Sequence, residues 1–137
     1  MLVEGQKFPE FCMPNQNEEQ VCLSDFAGKK VVFYYYPKDN TPGCTREACG
    51  FRDAMKDLVE QGVVVLGVSK DSAKSHQKFI EMYQLNFDLL TDVDKEFANQ
   101  IEAANRSTYL IDEEGNLLKQ WQTVKVDGHA DEILASL

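Results

Sequence analysis

The chain has 137 residues and a formal net charge of −9, with 43% hydrophobic and 27% charged residues. This length and composition are typical of a single globular domain of about 100–150 residues. No apolar run approaches the roughly 18 residues of a membrane-spanning helix. Lys and Arg are too scattered to form a nucleic-acid-binding patch. The N-terminus, MLVEG, has neither the basic nor the apolar region of a signal peptide, so we expect a cytoplasmic protein.

In chain order, the first predicted elements are an arm, a short strand, a turn and a buried strand. Residues 1–20 are predicted to be irregular because Pro9 and Pro14 interrupt regular structure. A short strand at 21–23 and a helical turn at 24–28 follow. The β-branched and aromatic run Val31–Tyr36 predicts a buried strand, and Pro37 ends it.

The remaining pattern alternates helices with strands. From Thr41, apolar residues recur every three or four positions, which predicts a long helix closed by Gly62. The elements expected after it are a strand at 63–69, a helix from the cap at 71–72 to 83, an extended piece at 87–90, a brief helix from 92 or 94 to 101, a hairpin of 107–112 with 117–121, and a helix at 132–137. This order predicts an α/β fold in a single domain, with a mixed central β-sheet flanked by α-helices. It is compatible with a thioredoxin-like fold.

Four cysteines stand at positions 12, 22, 44 and 49. Two disulfides would suit a small secreted chain, but without an export signal we expect free thiols. The spacing of the cysteines does not fit a zinc site, and His76 and His129 are remote in sequence, so we expect no metal and no cofactor. Both histidines are expected at helix surfaces or caps.

Cys44 is the strongest candidate for a reactive residue. A strand leads into the loop 38–43, and the loop delivers Cys44 to the first turn of the long helix. The first N–H groups of a helix lack intrahelical partners and carry partial positive charge, which favours a thiolate over a thiol. The alternative is that Cys44 is a small buried residue near a helix start.

Cys49 lies on the same predicted helix. Five residues of helix give about 7.5 Å of rise and about 140° of rotation, which places the two Cα atoms about 8.5 Å apart. A disulfide needs Cα atoms within about 7 Å. Either Cys49 is inert packing, or the first turns unwind during a reaction, which Gly50 favours by about 1 kcal/mol relative to alanine. The four intervening residues also differ from the two of thioredoxin-type oxidoreductases.

The pattern Pro37-x-x-x-Thr41-x-x-Cys44 is similar to the signature loop of the peroxiredoxins. The run from Tyr34 to Cys49 resembles their bacterioferritin-comigratory-protein, or Q-type, subfamily. Further similar blocks lie at 23–29, 68–79, 106–112 and 128–130. The resemblance implies one AhpC/TSA-type domain over residues 1–137 with a thioredoxin-like fold. It also implies reduction of hydrogen peroxide and organic hydroperoxides, with thioredoxin or a similar dithiol as the reductant.

The resemblance also implies roles for individual residues. Cys44 would attack the peroxide and become a sulfenic acid, and Cys49 would resolve it as an intrachain disulfide. Thr41 would hydrogen-bond the thiolate and the peroxide. Arg106 would stabilise the thiolate and the departing oxygen, and Glu47 would orient Arg106.

Two further positions complete the implied site: Pro37 would shield it, and backbone N–H groups near Gly43 and Cys44 would hold the substrate. Without the family resemblance, these residues have ordinary structural alternatives. Arg106 could be a surface charge at a strand edge, Thr41 a helix cap, and Glu47 a solvated carboxylate of the first turn. Cys12 and Cys22 are interpreted as structural or incidental.

Two departures from the family pattern stand out. Only eleven residues separate Asp94 from Arg106, where the family usually has a longer segment, and Asn86 replaces a usual proline. These departures affect the expected pocket walls, substrate range and dimer contacts. We expect a monomer or a weakly associating dimer. Two alternatives stay open: a peroxidase with Cys44 alone, resolved by an external thiol, and a non-catalytic redox sensor.

Overall fold

The computed structural model describes residues 2–137. Its strands are β1 (Cys12–Pro14), β2 (Gln20–Cys22), β3 (Lys30–Tyr35), β4 (Val63–Ser69), β5 (Asp88–Thr91), β6 (Ser107–Ile111) and β7 (Leu117–Trp121). Its helices are α1 (Pro42–Glu60), α2 (Ala73–Tyr83), α3 (Glu96–Ile101) and α4 (His129–Ala135). Short 3-10 turns occupy Leu23–Phe26 and Val93–Lys95. No helix in this described range is long and apolar enough to cross a membrane.

The centre of the molecule is a five-stranded sheet with the order β5-β4-β3-β6-β7. Strands β3, β4 and β5 run parallel, whereas β6 pairs antiparallel with β3, and β7 with β6. Strands β1 and β2 form a separate antiparallel ribbon. The predicted mixed α/β fold in a single domain is confirmed.

Strand β3 is apolar on both faces because both faces of the sheet are covered. Val32 and Tyr34 join the core cluster that contains residues of α1, α2 and α4. Phe33 and Tyr35 join the opposite cluster, built with the ribbon and α3. The strand that leads to the candidate site is therefore fixed from both sides.

Several elements begin or end one or two residues away from the predicted positions, and two differences are larger. The N-terminal arm contains β1, because Cys12–Pro14 pairs with β2, a partner that local patterns do not identify. The last helix covers His129–Ala135 instead of 132–137, because His129 is buried at its first position, 2% exposed.

The prediction of free thiols is wrong for Cys12 and Cys22, which form a disulfide. Both residues sit directly opposite each other in the β1–β2 pairing, with Cα atoms 4.1 Å apart. Their partnership depends on this register, which the sequence spacing alone does not specify. Cys44 and Cys49 are free, as expected.

The expectation of surface or capping histidines is also wrong. His76 is fully buried in α2, where Nδ1 lies 2.7 Å from Oδ2 of Asp39 and Nε2 lies 3.0 Å from the Leu90 carbonyl oxygen. His129 is buried too, with Nε2 2.8 Å from Oγ1 of Thr108. Both rings are buried because polar partners satisfy their nitrogens.

Candidate active site

Cys44 lies in the first turn of α1, as the sequence predicts. Thr41 occupies the N-cap position with extended backbone angles (φ −95°, ψ 155°) but makes no side-chain capping hydrogen bond, and Pro42 follows at the first helical position. Proline suits this position because its fixed φ fits the helix and its missing N–H would have no partner. Cys44 is 1% exposed, so its sulfur is held at the helix start and largely withdrawn from water.

Strand pairing brings Arg106 to this sulfur from 62 positions away in sequence. Arg106 directly precedes β6, and Ser107 at the start of β6 pairs with Tyr35 at the end of β3. The chain leaving β3 and the chain entering β6 are therefore neighbours. The Nη2 group of Arg106 donates to Sγ of Cys44 at 3.3 Å.

Glu47 holds the other side of the guanidinium. Its Oε1 accepts a hydrogen bond from Nη1 of Arg106 at 2.6 Å, and the residue is only 2% exposed. Its Oε2 has no hydrogen-bond partner among residues 2–137. The interpretation of Glu47 as a solvated carboxylate therefore does not fit its burial.

The charges at this site influence one another. Burial raises the pKa of Glu47 to about 7, and the charge and hydrogen bond of Arg106 oppose that rise only in part. Partial burial lowers the pKa of Arg106, but its contacts with Cys44 and Glu47 outweigh burial, and the net shift is upward. The guanidinium is thus a permanent cation shared by two buried acids.

Gly43 lets Arg106 approach the helix closely. A Cβ atom at position 43 would lie 3.1 Å from Nη2 of Arg106, a distance tighter than ordinary van der Waals contact. Any larger residue would press on the guanidinium that contacts Cys44. Glycine here is explained by space, since its φ is not in the left-handed region.

Thr41 and Pro37 are less closely engaged with the sulfur. The Thr41 hydroxyl donates to the Lys38 carbonyl at 2.9 Å, and a hydroxyl has a single proton to donate. A bond from Thr41 to Cys44 would require this hydroxyl to rotate. Pro37 is exposed in the loop between β3 and α1.

Cys49 is half-buried on the same continuous helix as Cys44. In this state α1 separates the two thiols, as the helix dimensions predict. A disulfide between them requires the start of α1 to open.

A buried polar cluster that the sequence analysis missed anchors the loop before Cys44. Asp39 accepts hydrogen bonds from the hydroxyls of Tyr36 (2.5 Å) and Ser75 (2.8 Å), and its other contact is His76. Its backbone N–H donates to Asp71 at 2.8 Å. Asp39 and His76 do lie in the two blocks that resemble the peroxiredoxins, but local patterns do not show that they meet.

The arrangement is suited to nucleophilic chemistry at sulfur. The helix start and the guanidinium both place positive charge beside the Cys44 sulfur. When the sulfur attacks a substrate, the same guanidinium can stabilise the negative charge that develops on the leaving group. The site is thus built for the cleavage of a bond to an electronegative leaving group.

Comparison with known proteins identifies this chemistry. The sequence model of the AhpC/TSA family matches residues 4–120. Peroxiredoxin Bcp of Bacillus subtilis is 44% identical over 151 aligned positions, which include 100% of this chain and 96% of that protein. Because this chain has 137 residues, 14 of those positions have no counterpart here, which fits a shortened segment.

Solved structures give the same result for the fold. A mutant of PrxQ from Xylella fastidiosa superposes with a TM-score of 0.94 at 30% identity, covering 98% of this chain and 94% of that one. The bacterioferritin comigratory protein of Xanthomonas campestris has a TM-score of 0.88 at 34% identity, covering 92% and 88%. The expected thioredoxin-like fold is confirmed. The chain belongs to the AhpC/TSA family as a peroxiredoxin of the Bcp type, and it is a thiol peroxidase.

Proposed function

We propose that Cys44 is the peroxidatic cysteine of this thiol peroxidase. The observation that carries the proposal is the 3.3 Å contact between Nη2 of Arg106 and the sulfur of Cys44 at the start of α1. Among the four cysteines, two are bonded to each other and Cys49 lies more than a turn into the helix. Cys44 is the cysteine that lies at a helix start and also contacts a guanidinium.

In the first step, the Cys44 thiolate attacks the terminal oxygen of a hydroperoxide. The S–O bond forms as the O–O bond breaks, and the leaving alkoxide or hydroxide takes a proton to become an alcohol or water. Cys44 becomes a sulfenic acid. Arg106 stabilises the departing oxygen, because a fixed cation in a water-poor site acts strongly on developing charge.

In the second step, the Cys49 thiolate attacks the sulfur of the Cys44 sulfenic acid. The S–S bond forms, the S–O bond breaks, and the hydroxyl leaves as water after taking a proton. The start of α1 must open for this step, because the intact helix separates the two thiols. Thioredoxin then reduces the disulfide through thiol exchange.

The remaining residues have supporting roles in this proposal. Glu47 orients Arg106 through its 2.6 Å hydrogen bond. Thr41 turns its hydroxyl from the Lys38 carbonyl to the bound peroxide, and Pro37 shields the site. The N–H groups of Gly43 and Cys44 hold the substrate oxygen, since the first N–H groups of a helix lack internal partners.

We propose hydrogen peroxide and organic hydroperoxides as the substrates. The related X. campestris protein is described by its alkyl peroxide reduction activity, which supports the organic class. We also propose that residues 1–137 act as one peroxiredoxin domain, as a monomer or weak dimer, in the cytoplasm.

Turnover with thioredoxin, thioredoxin reductase and NADPH tests the two cysteines. We expect Cys44→Ser to lose at least about 1,000-fold of the peroxide turnover, because no other thiolate has this environment. We expect Cys49→Ser to oxidise Cys44 once and then stop. Turnover of Cys49→Ser at the wild-type rate would instead support the one-cysteine peroxidase, and equal peroxide consumption by Cys44→Ser would show that the central assignment is wrong.

Amide hydrogen exchange tests the opening of α1. We expect residues 44–50 to lose protection when the protein is oxidised by one equivalent of peroxide, because the Cys44–Cys49 bond cannot form on an intact helix. The second half of α1, around Leu58, is the internal control and stays protected. Equal protection of residues 44–50 in both redox states would contradict the proposed intrachain bond.

Gly43→Ala tests the contact between Arg106 and the sulfur. The added Cβ would press on Nη2, and loss of a hydrogen bond to a charged group costs about 1.5–3 kcal/mol, so we expect Cys44 oxidation at least about tenfold slower. Rapid quenching followed by mass spectrometry measures this single step. Gly50→Ala is the matched control on the same helix, since a Cβ there meets nothing within 4 Å. Equal rates for the two variants would contradict the steric argument.

Glu47→Gln tests the buried carboxyl through the pH dependence of stability. An unfolded glutamate ionises near 4.5 and folded Glu47 near 7, so the folded state binds the proton more tightly. Stability from this group is therefore complete below pH 4.5 and is lost as the pH rises through 7. Urea unfolding should show wild type losing on the order of 3 kcal/mol relative to Glu47→Gln between pH 4.5 and 8. Glu60→Gln, at an exposed site of α1, controls for the loss of a carboxylate, and parallel pH curves for wild type and Glu47→Gln would contradict the prediction.

A further inference from the structure

The disulfide of the β1–β2 ribbon lies apart from the peroxidatic site. The ribbon packs on the face of the sheet that carries α3, through buried residues such as Met13 and Val21. Cys44 belongs to the cluster on the opposite face, with α1 and α4. The sheet therefore separates the Cys12–Cys22 bond from the chemistry of Cys44.

This disulfide faces solvent. Cys12 is exposed and Cys22 is half-buried, whereas Met13 and Val21 between them in the ribbon are buried. Strand alternation explains the difference, because neighbouring side chains of a strand point to opposite faces. A cleft of about 300 Å³ opens beside Cys12, lined in part by Pro14 and Val93. An external thiolate can thus approach the Cys12 sulfur, as disulfide exchange requires.

The ribbon has anchors that do not depend on the disulfide. The Leu23 N–H donates to the Phe11 carbonyl at 3.1 Å, and the side chains of both residues are buried in the core. At the turn, Oδ1 of Asn15 accepts from the backbone N–H groups of Asn17 and Glu19. These contacts hold the two strands in register when the S–S bond is absent.

The turn is also fixed to the edge of the central sheet. Oε1 of Gln16 accepts from the Leu89 N–H at 3.2 Å, and its Nε2 donates to Asp88 at 3.0 Å. Reduced Cys12 and Cys22 would therefore still face each other. The reduced and oxidised forms of the Cys12–Cys22 pair would therefore have the same backbone conformation. The Cys44–Cys49 pair differs, because its bond requires the helix to open.

We propose that Cys12–Cys22 is a second thiol–disulfide exchange site, which is reduced by dithiols and reoxidised by disulfides independently of Cys44. Thioredoxin is the reductant in the proposed function, and an exposed disulfide on the same chain would be accessible to it as well. The proposal rests on the ribbon alone and does not depend on the assignment of Cys44.

The exchange proceeds in two balanced steps. A thiolate of the dithiol attacks the exposed Cys12 sulfur, the Cys12–Cys22 bond breaks, and its electron pair leaves on Cys22, which takes a proton. The second thiol of the reductant, after losing its proton, attacks the mixed disulfide and releases Cys12, which is then protonated. Two electrons and two protons pass from the dithiol to the pair, and a disulfide oxidant reverses both steps.

The test uses the full chain with Cys44→Ser and Cys49→Ser combined, which leaves Cys12 and Cys22 as its sulfur pair. A catalytic amount of thioredoxin with its reductase and NADPH should oxidise one NADPH per chain, and alkylation with mass spectrometry should find both new thiols at 12 and 22. After the NADPH is removed, oxidised glutathione should restore the bond. The same variant with Cys12→Ser added is the matched control and should consume no NADPH. Wild type whose free thiols have been alkylated repeats the test without the serine substitutions.

Two further measurements distinguish an exchange site from a disulfide that only stabilises the fold. A thioredoxin that retains only its attacking cysteine should trap a mixed disulfide on Cys12, the exposed sulfur. Amide exchange over residues 11–23 should be equal in the reduced and oxidised forms. A bond that resists thioredoxin until urea is added, or a ribbon that loses protection on reduction, would overturn the proposal.

Discussion

The register between β3 and β6 is the constraint on which the active site depends. Tyr35 pairs with Ser107, so the chain that leaves β3 toward Cys44 runs beside the chain that enters β6 from Arg106. A shift of this pairing by one residue would turn Arg106 to the other face of the sheet. The register is held firmly because both faces of β3 are buried, with Tyr34 in one core and Phe33 in the other. The contact between guanidinium and sulfur thus follows from sheet packing.

One cation serves two buried acids at this site. Arg106 donates to Cys44 through Nη2 and to Glu47 through Nη1. Burial raises the pKa of Glu47 to about 7, which shows that one guanidinium does not fully compensate the loss of water around the carboxylate. Near neutral pH, Glu47 therefore carries its charge only part of the time. While Glu47 is protonated, the positive charge of Arg106 acts mainly on the sulfur.

Local sequence patterns predicted the strands of the central sheet and the helix that carries Cys44. The strands are marked by continuous apolar runs, and the helix by apolar residues that recur every three or four positions. Local patterns did not predict β1, the Cys12–Cys22 bond or the burial of His76, since each depends on a partner distant in sequence. The Leu90 carbonyl and Asp39 are what make a buried His76 acceptable, since a buried polar group left without its hydrogen-bond partner costs about 1–3 kcal/mol. Arg106 and Glu47 came from resemblance to a family, and only the strand register explains why they meet.

The proposed cycle requires α1 to be closed in one step and open in the next, and the structure limits where it opens. Before the helix, Asp39 is tied to Tyr36, Ser75 and His76. After Gly50, Phe51 is fully buried and stacks on Tyr34 with ring centroids 4.6 Å apart. The opening is thus confined to the turns that carry both cysteines. Oxidation itself favours it, because a thiolate holds the guanidinium of Arg106 by charge and a neutral sulfenic acid does not. In the proposed cycle, the first chemical step therefore weakens the contact between Arg106 and Cys44 before the sulfur moves toward Cys49.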